Sequence, residues 1–148
     1  MKIGLGSDHA GFQLKAAIAD YLGSAGIAYE DFGVFNEHSV DYPDLAALVA
    51  GAVNSEQCSC GILICGTGIG MSIAANKYKG IRAALCGDTF SARYAREHNN
   101  ANILTMGSRV IGSGLALAIV ETYLISSFEG GRHCRRIEKI TLAEGLES

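Results

Sequence analysis

The sequence contains no tryptophan, one proline and few aromatic residues, which make up 7% of its 148 residues. A proline-rich linker and a β-sandwich built around a core tryptophan are therefore excluded. Charged residues are also scarce at 18%, whereas hydrophobic residues reach 49%, which excludes a disordered chain and a coiled-coil rod. A chain of this length can bury a core of its own, and we predict one domain over residues 1–148.

Charge and hydropathy exclude two classes of partner. The net charge is −3 at pH 7, so there is no overall basic field to hold nucleic acid or an anionic membrane. No apolar run approaches the roughly 20 residues of a membrane helix, and Asp8 comes too early for a signal peptide. The five cysteines are an odd number in a domain that needs no disulfides, which predicts free thiols in the reducing cytoplasm.

Glycine is the abundant residue, with 19 of 148 positions, or about 13% against an average of about 7%. There is no G-x-y repeat, so a collagen-like chain is excluded. So many glycines in an apolar, compact chain predict tight turns in which the backbone comes close to another group.

Short apolar runs alternate with helical periodicity along the whole chain. The predicted strands are residues 1–6, 27–32, 61–65, 81–86 and 102–106. The predicted helices are residues 14–25, 43–53, 72–76, 90–98, 115–126 and 132–142. This order predicts a single three-layer αβα sandwich: a five-stranded parallel, Rossmann-like sheet with helices on both faces and an additional C-terminal helix.

A glycine loop follows the most apolar strand. In such a sheet ligands bind beyond the carboxyl ends of the strands, and Gly66-Thr67-Gly68-Ile69-Gly70 occupies that position between a strand and a helix. Glycines at alternate positions let several backbone N–H groups point at one anionic oxygen. The alternative is a tight turn that binds nothing.

Cys65 is the last residue of that strand and leads into the glycine loop. Neighbouring N–H groups would raise its thiolate fraction and make it reactive. The alternative is a small buried hydrophobic residue, and this is our prediction for the other four cysteines. They are Cys58, Cys60, Cys86 and Cys134. The Cys58-Ser59-Cys60 segment lacks the second pair that a zinc site needs.

Two histidines, His9 and His98, lie at boundaries between predicted strands and helices. His98, followed by Asn99, ends a predicted helix and is either a capping cation or a general acid–base group. Asp8 and His9 follow the first strand, where Asp8 either contacts a ligand or caps the next helix.

The basic residues near the C-terminus offer a phosphate site. Arg132 and Arg136 are four residues apart and would project from one face of a helix, where they could clamp a phosphate. A solvated charged surface is the alternative. Arg109, just after the fifth strand, is a third candidate.

Six short segments with unusual composition occur in a fixed order along the chain. They are Gly6-Ser7-Asp8-His9-Ala10-Gly11-Phe12, Asp41-Tyr42-Pro43, Ile64-Cys65-Gly66-Thr67-Gly68-Ile69-Gly70, Ala74-Ala75-Asn76-Lys77, His98-Asn99-Asn100-Ala101-Asn102 and Glu129-Gly130-Gly131-Arg132-His133. Together they resemble the ribose-5-phosphate isomerase B family, which also includes the galactose-6-phosphate isomerase subunits. The resemblance covers essentially the whole chain.

The resemblance implies an aldose–ketose isomerase that interconverts D-ribose 5-phosphate and D-ribulose 5-phosphate through a cis-enediolate. Cys65 would be the base, and Thr67 with the glycine loop would stabilise the enediolate as an oxyanion hole does. His98 would open the furanose ring as a general acid–base group. Neither a metal nor another cofactor is expected. Met71 stands where another branch of the family has a glutamate base, so the chain resembles the cysteine branch.

The resemblance also implies a set of residues that bind the substrate. They are Asp8, His9, Tyr42, Gly66, Thr67, Gly68, Ile69, Gly70, Asn99, Arg109, Arg132 and Arg136. The arginines would hold the phosphate, with His9 as a possible helper. A homodimer whose sites are shared between subunits is expected, and its pairing into a tetramer stays open.

Two alternative functions remain. One is isomerisation of a six-carbon sugar phosphate such as allose or galactose 6-phosphate, if the loop over residues 35–41 leaves room. The other is a non-catalytic nucleotide-binding module, since Gly4, Gly6 and the pair Glu30-Asp31 loosely match a dinucleotide site. His9 occupies the position of its third glycine, which weighs against that reading.

Overall fold

A computed structural model describes residues 1–145 and contains one parallel sheet within them. The strands are Lys2–Ser7 (β1), Ala28–Asp31 (β2), Cys60–Cys65 (β3), Ala83–Leu85 (β4) and Ile103–Gly107 (β5). Their order is β2-β1-β3-β5-β4, and each neighbouring pair is parallel. The five-stranded parallel sheet is thus confirmed. The order changes direction between β1 and β3, and this switch point is where a ligand crevice forms in such sheets.

Helices follow the strands and cover both faces of the sheet. They are Phe12–Ser24 (α1), Tyr42–Asn54 (α2), Ile69–Ala75 (α3), Thr89–Glu97 (α4), Ser113–Ile125 (α5) and Arg132–Ala143 (α6), with a short 3-10 turn at His9–Gly11. The additional C-terminal helix is therefore confirmed at its predicted place. Over residues 1–145, no helix combines the length and the hydropathy that crossing a membrane requires.

Most elements differ from their predicted bounds by one or two residues, and the differences at β4 and α3 have local reasons. Strand β4 is shorter than predicted because the N–H of Ile81 closes a turn onto the Tyr78 carbonyl at 3.0 Å. The Arg82 N–H binds the side chain of Asn102 at 2.8 Å instead of a strand neighbour. Helix α3 begins at Ile69, so the last two residues of the predicted glycine loop belong to its first turn.

The central strand β3 separates two hydrophobic layers. Ile62 and Ile64 pack with the helices α1, α4 and α5 on one face. Leu63 and Cys65 pack with α2 and α3 on the other. All six β3 residues are buried, as expected for a strand covered on both faces. This alternation directs the Cys65 side chain toward α2 and α3.

Helix α6 packs little on its own chain. Among its residues, His133 is the one buried side chain, while Ile140 and Leu142 are 46% and 71% exposed. Cys134 is exposed, so the prediction that it packs in the interior is wrong. It lies in the first turn of a helix whose one buried side chain is His133. Cys58, Cys60 and Cys86 are buried as predicted.

Candidate active site

Three loops meet at the carboxyl edge of the sheet, beyond β1, β3 and β5. The N–H of Asp8 donates to the Ile64 carbonyl at 3.1 Å, which ties the end of β1 to β3. The N–H groups of Ser108 and Arg109 donate to the carbonyls of Cys65 and Gly66 at 2.9 and 3.0 Å. The residues after these strands are therefore connected by hydrogen bonds at the switch point.

The glycine loop lies directly on β5. Gly68 has φ +78°, a left-handed conformation that favours glycine. A Cβ on Gly68 would come within 2.5 Å of the Leu85 side chain and 2.7 Å of the Met106 carbonyl carbon. The Thr105 hydroxyl donates to the Gly68 carbonyl at 3.1 Å. Side-chain bulk is therefore excluded where the loop crosses the strand.

This turn aims a backbone donor at the Cys65 sulfur. Cys65 is 5% exposed, and the N–H of Gly68 donates to its Sγ at 3.1 Å. The sulfur therefore has a backbone N–H donor from the glycine loop beside it. At the other end of the same strand, burial raises the pKa of Cys60 to about 11. The fold thus gives two buried cysteines of one strand different electrostatic surroundings.

Three further predicted residues border the loop. The Tyr42 ring, in the first turn of α2, lies against Gly70, where a Cβ would come within 2.7 Å of its Cζ. The Arg109 side chain runs beside Gly66, with its Cδ 3.5 Å from the position of a Cβ there. The exposed Thr67 hydroxyl accepts the Ile69 N–H at 3.3 Å. An anionic group above the loop would therefore meet backbone donors, two hydroxyls and a guanidinium.

Asp8 and His9 lie at the same edge. A carboxylate oxygen of the buried Asp8 accepts the Gly11 N–H at 3.0 Å, so Asp8 does cap the turn that leads into α1. The Nδ1 of His9 accepts the Val40 N–H at 3.4 Å. In a neutral imidazole this leaves the proton on Nε2 as a donor. His9 thereby connects the first strand to the loop before α2.

His98 and Asn99 lie at the opposite edge of the sheet. His98 is the C-cap of α4, and the next strand along the chain is β5. Just before β5, the Asn102 carbonyl accepts the Gly61 N–H at 2.9 Å, which places this part of the chain beside the start of β3. The five residue steps from Cys60 to Cys65 span about 16 Å at about 3.3 Å per residue. Hydrogen bonds need separations near 3 Å. Within one chain, Cys65 and His98 therefore lie at opposite ends of the strands.

The His98 ring belongs to a cluster of aromatic and acidic groups. It packs on Tyr94, with ring centroids 4.4 Å apart, and stacks on His133 at 4.2 Å and 10°. The Nε2 atoms of His98 and His133 lie 3.8 and 3.7 Å from the same Glu129 oxygen. Burial lowers the pKa of His133, and the nearby His98 and Arg132 lower it further. Sequence reasoning missed Glu129 and His133, although their spacing of four residues was a usable signal.

The remaining predicted residues lie in this second region. Arg132 and Arg136 are exposed on α6, and the Arg132 Nε donates to the His133 Nε2 at 3.5 Å. Asn99 borders a groove of about 750 Å³ between β4, α4 and α6. The predicted site residues therefore form two groups, one around Cys65 with Arg109 and one around His98 with Arg132.

The geometry weighs against the nucleotide-binding alternative. Glu30 forms an ion pair with Lys2 at 2.5 Å. Asp31 pairs with the buried Lys15 at 2.5 Å and accepts the Gly33 N–H at 2.8 Å. The acidic pair that would hold a ribose is thus engaged in internal contacts.

Comparisons with known proteins agree with this geometry. The model of the ribose/galactose isomerase family matches residues 3–140. Ribose-5-phosphate isomerase B of Escherichia coli is 48% identical over 97% of this chain and 96% of its own. D-erythrulose-4-phosphate isomerase of Pectobacterium atrosepticum is 44% identical over 99% and 97% of the two chains.

A solved structure is also similar over its full length. Ribose-5-phosphate isomerase B of Clostridium thermocellum has a TM-score of 0.99 and 55% sequence identity, with both chains covered completely. The fold, the motifs and these relatives all indicate the same chemistry, the isomerisation of a sugar phosphate. The chain belongs to the ribose/galactose isomerase family.

Proposed function

We propose that the protein interconverts D-ribose 5-phosphate and D-ribulose 5-phosphate through a cis-enediolate, as part of the pentose phosphate pathway. The observation that carries the proposal is the Cys65 sulfur, which receives the Gly68 N–H at 3.1 Å at the start of the glycine loop. A thiolate held this way is a base that can approach a sugar carbon. The names of the Escherichia coli and Clostridium thermocellum relatives support the choice of ribose.

Cys65 is the base of the isomerisation step. Its thiolate removes the proton from C2 of the open-chain aldose, the electron pair forms the C1–C2 double bond, and the carbonyl becomes an enediolate oxygen. Return of the proton to C1, with transfer of the hydroxyl proton from O2 to O1, gives the ketose. The backbone donors of the glycine loop and the Thr67 hydroxyl stabilise the negative charge as it develops.

His98 opens the ring before that step. The cyclic sugar has no carbonyl group, so a general acid–base group must first move a proton between the ring oxygen and the anomeric hydroxyl. An imidazole suits this exchange because its ordinary pKa is near neutrality. The His98 ring packs on Tyr94 at a tilt of 43° and stacks on His133 at 10°, and these contacts orient the imidazole.

The complete site combines two copies of the chain in a homodimer. Cys65 and His98 lie at opposite edges of the sheet, so one copy supplies the first and the other copy the second. Helix α6, which carries Arg132 and Arg136, leaves Ile140 and Leu142 exposed for burial against a partner. Asp8, Tyr42 and Asn99 then contact sugar hydroxyls, and Arg109 meets the arginines of α6 at the phosphate, with His9 nearby. Two such dimers can still pair into a tetramer.

The number of carbons in the sugar phosphate is the second part of the proposal. Phe35 is 69% exposed in the loop between β2 and α2, and the N–H of Val40 in the same loop donates to the His9 Nδ1. A six-carbon phosphate such as allose or galactose 6-phosphate is the alternative, and the Pectobacterium relative is named for a four-carbon substrate. The expected compartment is the reducing cytoplasm, because all five cysteines are unpaired.

One assay panel tests the function. The purified protein is given ribose 5-phosphate, allose 6-phosphate, galactose 6-phosphate and erythrulose 4-phosphate, without added metal or cofactor, and the formation of the isomer is followed. We expect the highest kcat/KM for ribose 5-phosphate. A higher kcat/KM for another sugar phosphate would mean that this phosphate is the substrate, while the proposed isomerisation chemistry would stand. Stabilisation by NAD with no turnover of any sugar phosphate would overturn the proposal.

A further inference from the structure

Three metal-ligating side chains converge beside α4 and α6. Among residues 1–145, His98, Glu129 and His133 form a group whose ligand atoms lie within 4.8 Å of one another. They come from the end of α4, from the segment before α6 and from α6 itself. The N–H of Glu129 donates to the Glu97 carbonyl at 3.0 Å, which ties this segment to the end of α4. The backbone thus holds the three side chains together without help from a ligand.

We propose that His98, Glu129 and His133 form a binding site for a divalent transition-metal ion, with zinc as the best fit, and that occupation of the site inhibits the enzyme. Two imidazoles and one carboxylate are a ligand set that zinc accepts, with a fourth position left for water. At ligand distances of about 2.0–2.2 Å, tetrahedral coordination separates neighbouring donor atoms by about 3.4 Å. The Nε2 atoms of His98 and His133 lie 3.8 and 3.7 Å from the Glu129 oxygen, close to that spacing.

Binding requires one ring to turn. The two imidazoles are stacked at 10°, so their lone pairs run nearly parallel instead of meeting at one point. The His133 side chain is 4% exposed and held in place, whereas that of His98 is 33% exposed, so His98 is the ring that would leave its stack and turn about its Cβ–Cγ bond. The long contact from Arg132 to the His133 Nε2, at 3.5 Å, must also open. The turn of the His98 ring and the loss of the Arg132–His133 contact both cost free energy and so weaken binding. We therefore expect an ion that exchanges with solvent.

The openness of the site indicates a reversible role. The Glu129 side chain is 51% exposed, so an ion can enter and leave from solvent. A metal bound to the His98 Nε2 occupies the lone pair that would otherwise accept a proton. Inhibition therefore rests on the proposed function, in which His98 opens the sugar ring, whereas metal binding itself does not.

The test measures binding directly, with Zn²⁺ in titration calorimetry and Co²⁺ in visible spectroscopy. The reference protein carries Cys134→Ser, because that exposed thiol lies next to His133 and could bind either ion by itself. We expect one ion per chain and a Co²⁺ spectrum with d–d bands but no thiolate charge-transfer band. Glu129→Gln should weaken binding at least tenfold, since even outer-sphere partners of a metal contribute about 10–100-fold.

Glu138→Gln is the matched control, since Glu138 is an exposed carboxylate on the same helix. It should bind Zn²⁺ as the reference does. No binding of either ion, or binding that Glu129→Gln leaves unchanged, would overturn the proposal. His133→Asn provides a second removal of a ligand and should also abolish the Co²⁺ bands.

Activity assays with Zn²⁺ distinguish a failure of this proposal from a failure of the proposed function. Zn²⁺ should inhibit the reference enzyme in proportion to occupancy, and Glu129→Gln should need at least about tenfold more Zn²⁺ for the same inhibition. Binding at the cluster in a protein without isomerase activity would support the site but overturn the proposed function. Isomerase activity that stays constant while the cluster fills would overturn the inhibitory role.

Discussion

The regions around Cys65 and His98 are built by different means. The Cys65 region is made of backbone: a left-handed glycine, N–H donors and carbonyls bonded across β1, β3 and β5. The His98 region is made of side chains that meet through stacking and long ionic contacts beside a largely exposed helix. Charge that develops on a substrate needs fixed donors, whereas proton exchange with a sugar ring needs a group that can change protonation state. Each region is suited to one of the two steps.

The largest expected effect is the loss of the base. Cys65→Ala should lower kcat by about 10²–10⁴-fold, because it removes the group that we propose as the base of the isomerisation step. Steady-state assays with ribose 5-phosphate measure this loss, and thermal melts check that the variant is folded.

Cys60→Ala is the control for this substitution, since Cys60 begins the strand that Cys65 ends. Its pKa of about 11 keeps its thiol neutral at pH 7. We expect full activity and a loss of about 1 kcal/mol in the free energy of unfolding. Equal losses of activity in both variants would mean that packing, not proton transfer, explains the effect.

The second effect concerns ring opening. His98→Asn should lower kcat by about 10²-fold with the cyclic substrate, because general acid–base catalysis contributes about that much. A substrate analogue that cannot close into a ring should lose far less. If the two substrates lose equal activity, His98 does not act at ring opening.

The third prediction tests the division of the site between two copies. Mixed dimers of Cys65→Ala and His98→Asn, isolated with two different tags, contain one intact shared site out of two. They should recover about half of the wild-type activity per dimer, although each parent is nearly inactive. A site built within one chain would give inactive mixed dimers.

The sequence predicts the Cys65 region well because its determinants are local. A buried strand, a glycine loop and a helix start follow one another within eleven residues, Cys60 to Gly70. The His98 region depends on contacts between residues 94 and 98 at the end of α4, residue 129 before α6 and residue 133 in α6. Its position could still be inferred in part, since a residue between a helix and the next strand lies at the amino edge of a parallel sheet.

Local sequence patterns could not predict two features, the exposure of Cys134 and the contact of Tyr42 with Gly70. Cys134 sits on an amphipathic helix whose apolar side has few partners on its own chain. The general tendency of free cysteines to be buried, on which the prediction rested, therefore does not hold for Cys134. The Tyr42 ring reaches Gly70 only because α2 and α3 pack side by side. Tertiary packing decided both outcomes.

The smallest expected effect tests the backbone of the Cys65 region. Gly68→Ala should lower the free energy of unfolding by about 1–3 kcal/mol, because its φ of +78° is strained for alanine. The added Cβ would also lie 2.5 Å from Leu85 and 2.7 Å from Met106. Urea denaturation measures the change in stability.

Gly51→Ala separates this strain from the general effect of adding a methyl group. Gly51 lies within α2, and a Cβ there meets nothing within 4 Å. Alanine at a relaxed helical position should stabilise by about 0.5–1 kcal/mol. Activity should fall in Gly68→Ala alone, because a shifted loop moves the N–H away from the Cys65 sulfur. If Gly68→Ala kept both stability and activity, the loop would not depend on its contact with β5, and the contrast between a backbone-built and a side-chain-built region would fail.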